Sequence, residues 1–77
     1  MKSNECTKWK LASEIQRGDI VTAYSFKAIV VEVDPIEYEG EIFYILRTDF
    51  ISGDLKQHRF LGGVLQQGGH ISLQVEG

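Results

Sequence analysis

From Gly18 onward the apolar side chains recur at every second position, and no window of ten residues carries the three-to-four spacing of an amphipathic helix. That period excludes a helical bundle and an α/β sandwich, and leaves a chain that buries one face of a sheet. The clearest case is "EIFYILRTDF", where Ile42, Tyr44 and Leu46 oppose Phe43, Ile45 and Arg47. "DIVTAY" alternates Ile20, Thr22 and Tyr24 against Val21 and Ala23. "KAIVVEV" sets Ile29, Val31 and Val33 against Ala28, Val30 and Glu32, and its β-branched residues disfavour helix. Asp34 and Pro35 are expected to end that strand.

Punctuation between these runs sets the topology. Ser52 and Gly53 separate "TDFI" from "DLKQHRF", and a serine–glycine pair between extended segments predicts a tight hairpin turn. Its second arm then places Leu55, Gln57 and Arg59 on one face and Lys56, His58 and Phe60 on the other. The pairs Gly62–Gly63 and Gly68–Gly69 mark turns before "HISLQV", with Ile71, Leu73 and Val75 pointing inward. Ala12 to Gln16 is compatible with one helical turn capped by Ser13. About five short strands, tight turns and at most one short helical turn near the N-terminus predict an all-β fold, a small SH3-like barrel. An oligonucleotide-binding Greek-key barrel is the alternative. It usually has longer strands and a helix between the third and fourth.

Size narrows the picture further. The 77 residues make one domain, since two cores could not each bury enough apolar surface. Residues 1–10 read as a flexible arm and 11–77 as the barrel. The single cysteine, Cys6, excludes an internal disulfide, and one thiol with two distant histidines predicts no metal site and no cofactor. Hydrophobic residues make up 43% and charged residues 25% of the chain, as in ordinary folded domains. No apolar run is long enough for a bilayer and "MKSNECTKWK" has no secretory core, so the expected setting is cytoplasmic, without a membrane.

The stretches "ASEIQRGDIV", "KAIVVEV" and above all "ILRTDFISGDLKQHRF" resemble the N-terminal SH3-like domain of bacterial translation elongation factor P and its eukaryotic relatives. The resemblance spans roughly residues 12–63 and implies the same barrel. In that family a glycine-rich loop between the second and third strands carries a modified lysine that reaches the ribosomal catalytic centre. Here the corresponding segment is "DPIEYEGE", acidic and without lysine, so the resemblance implies the fold and not the translation role.

The candidate sites follow from charge and aromatics. The net charge of −3 argues against bulk electrostatic binding of nucleic acid. Five carboxylates, Glu32, Asp34, Glu37, Glu39 and Glu41, form a run without a basic residue, which reads as a solvated loop or as a site for a basic partner anchored by Tyr38. Arg47, Lys56, His58 and Arg59 lie on or near the expected hairpin. With Trp9 stacking on a base, they would make a face for RNA or single-stranded nucleic acid. Trp9 alternatively covers an open end of the barrel. Tyr24, Phe26 and Tyr44 could line a peptide groove, one or two of them being core. A thiol site built from Cys6, His58, His70 and Thr48 has nothing in the sequence to fix its geometry. The expectation is a non-enzymatic binding module acting through a protein contact, with a homodimer as one form of it. The final strand could either close the barrel or pair with the same strand of a second copy. Nucleic-acid binding through residues 47–59 is the alternative.

Overall fold

The computed structural model describes residues 7–76, so Cys6 and the rest of the N-terminal six residues lie outside it. Six strands form one antiparallel sheet: β1 (Thr7–Leu11), β2 (Ile20–Ala23), β3 (Phe26–Tyr38), β4 (Glu41–Gly53), β5 (Val64–Gly68) and β6 (Ser72–Glu76). Their order is β1-β6-β2-β3-β4-β5, and the sheet wraps around a single core, giving the all-β, barrel-like fold that the period of two requires. A 3₁₀ turn at Ala12–Glu14 links β1 to β2, as expected for that segment. Leu11 precedes it in place of Ser13.

The core consists of Ile15, Val21, Phe26, Ala28, Val30, Leu46, Leu65, Leu73 and Val75. On β3 the inward set is Phe26, Ala28 and Val30, followed by Val33, because Val31 is an extra residue in the ladder and shifts the phase by one. Ile29 and Val31 therefore do not share Val33's face as the sequence period suggested. On β4, Ile42, Tyr44, Leu46, Thr48 and Phe50 share one face, with no bulge between them.

Four expectations are corrected. Asp34 and Pro35 do not end β3, which continues to Tyr38. The hairpin closes on Glu39 and Gly40, both at positive φ (53° and 81°), as a type I′ turn demands. A two-residue turn closes on a hydrogen-bonded pair, here Tyr38 with Glu41. By alternation Ile36, Asp34 and Glu32 face β4, and Pro35 turns its nitrogen toward the open edge, where no N–H is needed.

The second correction concerns Ser52–Gly53. The chain does not turn back into a strand there; it enters a helix, α1 (Leu55–Phe60). The Asp54 side chain accepts the Gln57 N–H at 3.2 Å as an N-cap. Gly62 and Gly63, at φ 68° and 72°, take up the left-handed geometry after the helix, and the Gly63 N–H donates to the His58 carbonyl at 3.0 Å. Third, Thr7–Lys10 do not belong to an arm. They pair with β6 from Thr7↔Glu76 to Leu11↔Ser72. Fourth, of the two roles open to the final strand, pairing with a second copy falls away: it is central, paired to β1 on one side and β2 on the other.

Candidate functional site

β3 and β4 form one long hairpin whose two ends are dressed differently. At its base, β2 pairs with Phe26–Ile29 and α1 packs on the inner face of β4. Beyond Val30 no strand among the described residues flanks β3, while β5 pairs with Phe43–Arg47 of β4 on the other side. The molecule is accordingly elongated, 46 Å by 27 Å by 17 Å.

The base is organised by His58. Its ring is buried at 9% exposure, edge-on to Phe26 (5.0 Å between centroids) and tilted against Phe50 (5.6 Å). Thr48 Oγ1 donates its single proton to the Gly63 carbonyl at 2.9 Å, so at 3.1 Å it accepts from His58 Nε2–H. A side chain on Gly63 would enter this node, since an added Cβ would stand 3.0 Å from the Thr48 carbonyl and 3.2 Å from His58 Cε1. His58 is thus a buried clamp between α1 and the sheet. It is not the exposed strand residue expected from the sequence.

The proposed nucleic-acid set does not converge. Arg47 lies on the outer face of β4, paired across the ladder with Glu32 at 3.2 Å, whereas Lys56 and Arg59 stand on α1, which covers the inner face. Trp9 is on β1, at the opposite end of the strand order, and is 69% exposed on the outer face opposite Gln74. It covers no end of the barrel. Lys8 and Lys10, by contrast, sit opposite the buried Val75 and Leu73, and Lys10 reaches Asp19 at 2.9 Å.

The aromatic groove expected around Tyr24 is divided. Phe26 is core, and Tyr24 stacks on it with centroids 6.1 Å apart. Tyr24 is 67% exposed and has φ 55°, at the first position of the two-residue turn between β2 and β3, where positive φ is required. Together with Lys27, Ser52 and Gly53 it lines a shallow depression of about 290 Å³. Tyr44 belongs elsewhere, at the far end of the hairpin.

That far end holds the larger groove, open and about 530 Å³, between the inner face of β4 and the turn after β1. Leu11, Ile42 and Tyr44 give it apolar walls, and Glu41, Ser13 and His70 its polar rim. On the opposite face of the same hairpin, Ile36 pairs with Phe43 and Tyr38 with Glu41. Ile36, Tyr38 and Ile42 are 43%, 63% and 51% exposed. Tyr38 is exposed at the end of β3, beside the turn. The acids are not gathered on a loop: Glu32, Asp34 and Glu37 lie on β3, Glu39 on the turn and Glu41 on β4.

Sequence reasoning put Phe60 on a strand and gave it no part in a site. It ends α1 at 85% exposure, beside Lys56 at the i, i+4 position and next to Arg59. The signal was present in Asp54 followed by good helix formers and then Gly62–Gly63, a cap at each end. The residues considered for thiol chemistry are also apart: His70 rims the far groove, His58 and Thr48 form the buried clamp, and Cys6 lies outside the described residues. Among the described residues no group of three or more His, Cys, Asp or Glu side chains could hold a metal ion, and no helix is long and apolar enough to cross a membrane.

Compared with protein-family models, curated proteins and solved structures, the chain finds no match in any of the three, so its function is argued from its own geometry.

Proposed function

We propose that this protein is a non-catalytic binding module that makes a protein contact through the far half of the β3–β4 hairpin. The observation that supports this is the exposure of Ile36 and Tyr38 on the outer face, and of Ile42 on the opposite face, of a ladder that extends past the core. Exposed apolar side chains rimmed by polar ones mark interaction surfaces. Asp34, Glu37, Glu39 and Glu41 rim them, and none of these four takes part in the ion pairs seen among the described residues. The partner surface is therefore basic at its edge and apolar at its centre.

Contact is by side chains and not by strand addition. Pro35 removes a donor from the free edge of β3, the carboxylates repel a like strand, and the bulge at Val31 bends the edge. The test is an amide-shift titration of the labelled protein with a synthetic lysine- and leucine-rich peptide. Shifts concentrated on Ile36–Phe43, and lost in Ile36→Asp, are expected. A silent hairpin at low salt would remove this reading.

A further inference from the structure

We infer that the hairpin meets its partner with the outer face of its far half, and that the partner is an amphipathic helix carrying lysine or arginine beside its apolar stripe. This rests on the protein-contact reading above, chooses between the two faces and names the occupant. Register fixes which side chains share a face. Leu46 and Leu65 are directly paired and both are buried, so they mark the inner side. Phe43 and Gly68, also paired and three residues from them along each strand, are on the outer side, as is Ile36, which is paired with Phe43. The row Ile36–Phe43–Gly68 thus crosses β3, β4 and β5 on one face, a width of about 10 Å at about 4.8 Å between strands. The gap at the glycine is filled from the turn that follows β5. A Cβ on Gly68 would stand 3.3 Å from His70 Cε1 and 3.9 Å from Ile71 Cγ1, so these two side chains lie over Gly68 on the outer face. Ile71, placed inward by the sequence period, is 40% exposed there, close to the 43% of Ile36 at the other margin of the row. Between them Phe43 is half-buried, and Ile45 continues the strip along β4.

Backbone, width and charge select the occupant. An extended segment would have to join a ladder, and Pro35 with the bulge at Val31 denies it the free edge of β3 that borders this strip. A helix pairs its own backbone and needs only a face, on which it lays its apolar stripe as helices do on sheets. Its diameter with side chains, about 10 Å, matches the width of the row. On the same face Asp34 stands opposite Ile45 and Glu41 opposite Tyr38, and neither acid enters the three ion pairs seen among the described residues. Arg47, the cation of this face, is already paired with Glu32. A partner with basic residues beside its apolar stripe meets these acids, whereas a second copy laid face to face would bring one acidic margin against another.

The labelled full chain is titrated with two synthetic peptides of one lysine- and leucine-rich composition, the first with leucines at helical spacing and the second with leucine and lysine alternating. The helical peptide is expected to shift Ile36, Phe43, Ile45 and Ile71 and to gain helical circular dichroism on binding, and the alternating one to bind about tenfold more weakly or less. Ile71→Asp should weaken the helical peptide about tenfold and Asp34→Lys several-fold, while Ile42→Asp, on the opposite face, should leave its affinity unchanged. All three positions are exposed, and a thermal melt followed by circular dichroism confirms that each variant folds. Binding that is lost in Ile42→Asp and indifferent to Ile71→Asp moves the contact to the other face and overturns the inference, though the binding-module reading stands. Equal or tighter binding of the alternating peptide does the same. If neither peptide shifts Ile36–Phe43 at low salt, both fall. A two-chain species in sedimentation that Ile71→Asp disperses would assign the strip to a second copy and overturn the basic helix as its occupant.

Discussion

The two halves of the β3–β4 hairpin share a backbone ladder and differ in what lies over them. Near the base, Phe26, Ala28 and Val30 meet Thr48 and Phe50 under α1 and beside β2, and their side chains are buried or nearly so. Toward the tip the same ladder continues from Glu32↔Arg47 to Tyr38↔Glu41, with apolar residues on both faces and no element among the described residues to cover the outer one. Backbone pairing therefore explains why the strands exist, but only the base explains why the domain is stable. The tip extends the fold without closing it. Apolar side chains there, Ile36, Tyr38 and Ile42 among them, stand exposed.

The comparison breaks most visibly at two glycines, one at each end. At Gly53 (φ 103°) an added Cβ would lie 2.5 Å from the Ser25 carbonyl and 2.7 Å from Phe26 Cα, because the end of β4 presses on the β2–β3 turn. Gly53→Ala should cost about 3 kcal/mol or more, through backbone strain and the forced parting of two segments. At Gly40 (φ 81°) nothing lies within 4 Å, so Gly40→Ala should cost about 1 kcal/mol, the strain alone. Urea unfolding of the two variants measures the difference. Equal losses would mean that the base is not the clamped end.

A side-chain pair on one face of β4 sharpens the same contrast. Leu46 is fully buried and Ile42, four residues away, is half exposed. Leu46→Ala should lose about 3 kcal/mol of stability and Ile42→Ala less than about 1 kcal/mol. The His58 clamp falls between them. Thr48→Val keeps the shape but leaves Nε2–H without its acceptor, at about 1–2 kcal/mol, and a double-mutant cycle with His58→Ala isolates the bond from the packing.

The base of the hairpin was legible in the sequence and its termination was not. Alternation located β2, the start of β3 and β4, because burial of one face leaves a period of two. The same alternation carried on past Gly53 by accident: in "DLKQHRF" every second residue can be read as apolar or long, and six residues are too few for a helical period to declare itself. The Asp54 cap and the glycine pair decide the matter locally. β1 was hidden because its lysines share the core face while Trp9 faces out, inverting the usual polarity of an edge strand. Pro35 misled in the opposite direction: proline ends a strand only where its nitrogen must donate. The groove could not be seen at all, since Leu11, Tyr44 and His70 are distant in sequence and meet only through the sheet order.

Acid should act on the fold through Asp19. Burial pushes the Asp19 carboxyl up, but the Gln16 N–H, the Lys10 ammonium and the charge of Lys8 together hold it below the usual carboxylate value. A carboxyl depressed in the folded state stabilises it at pH values above the unfolded value, near 4, and that contribution is lost as pH falls through the folded value. Asp19→Asn should therefore lower stability at neutral pH by about 1 kcal/mol or less and flatten the acid limb of the melting profile. An unchanged acid limb would detach Lys10 and β1 from the stability of the base.

The smallest expected change in stability is at the tip itself, and there the comparison between the two halves becomes a separation of roles. Ile36 and Tyr38 touch no buried residue's place in the core, so Ile36→Ser with Tyr38→Ser should move the unfolding free energy by about 0.5 kcal/mol or less. The same pair should remove the hairpin shifts expected with the basic peptide, because those shifts would report the exposed apolar side chains and their acidic rim. A large loss of stability would show that the tip belongs to the fold after all, which would make its exposure a property of the ladder and withdraw the reason for a partner. Unchanged stability with lost binding is the outcome that a contact surface requires and that a merely extended hairpin does not produce.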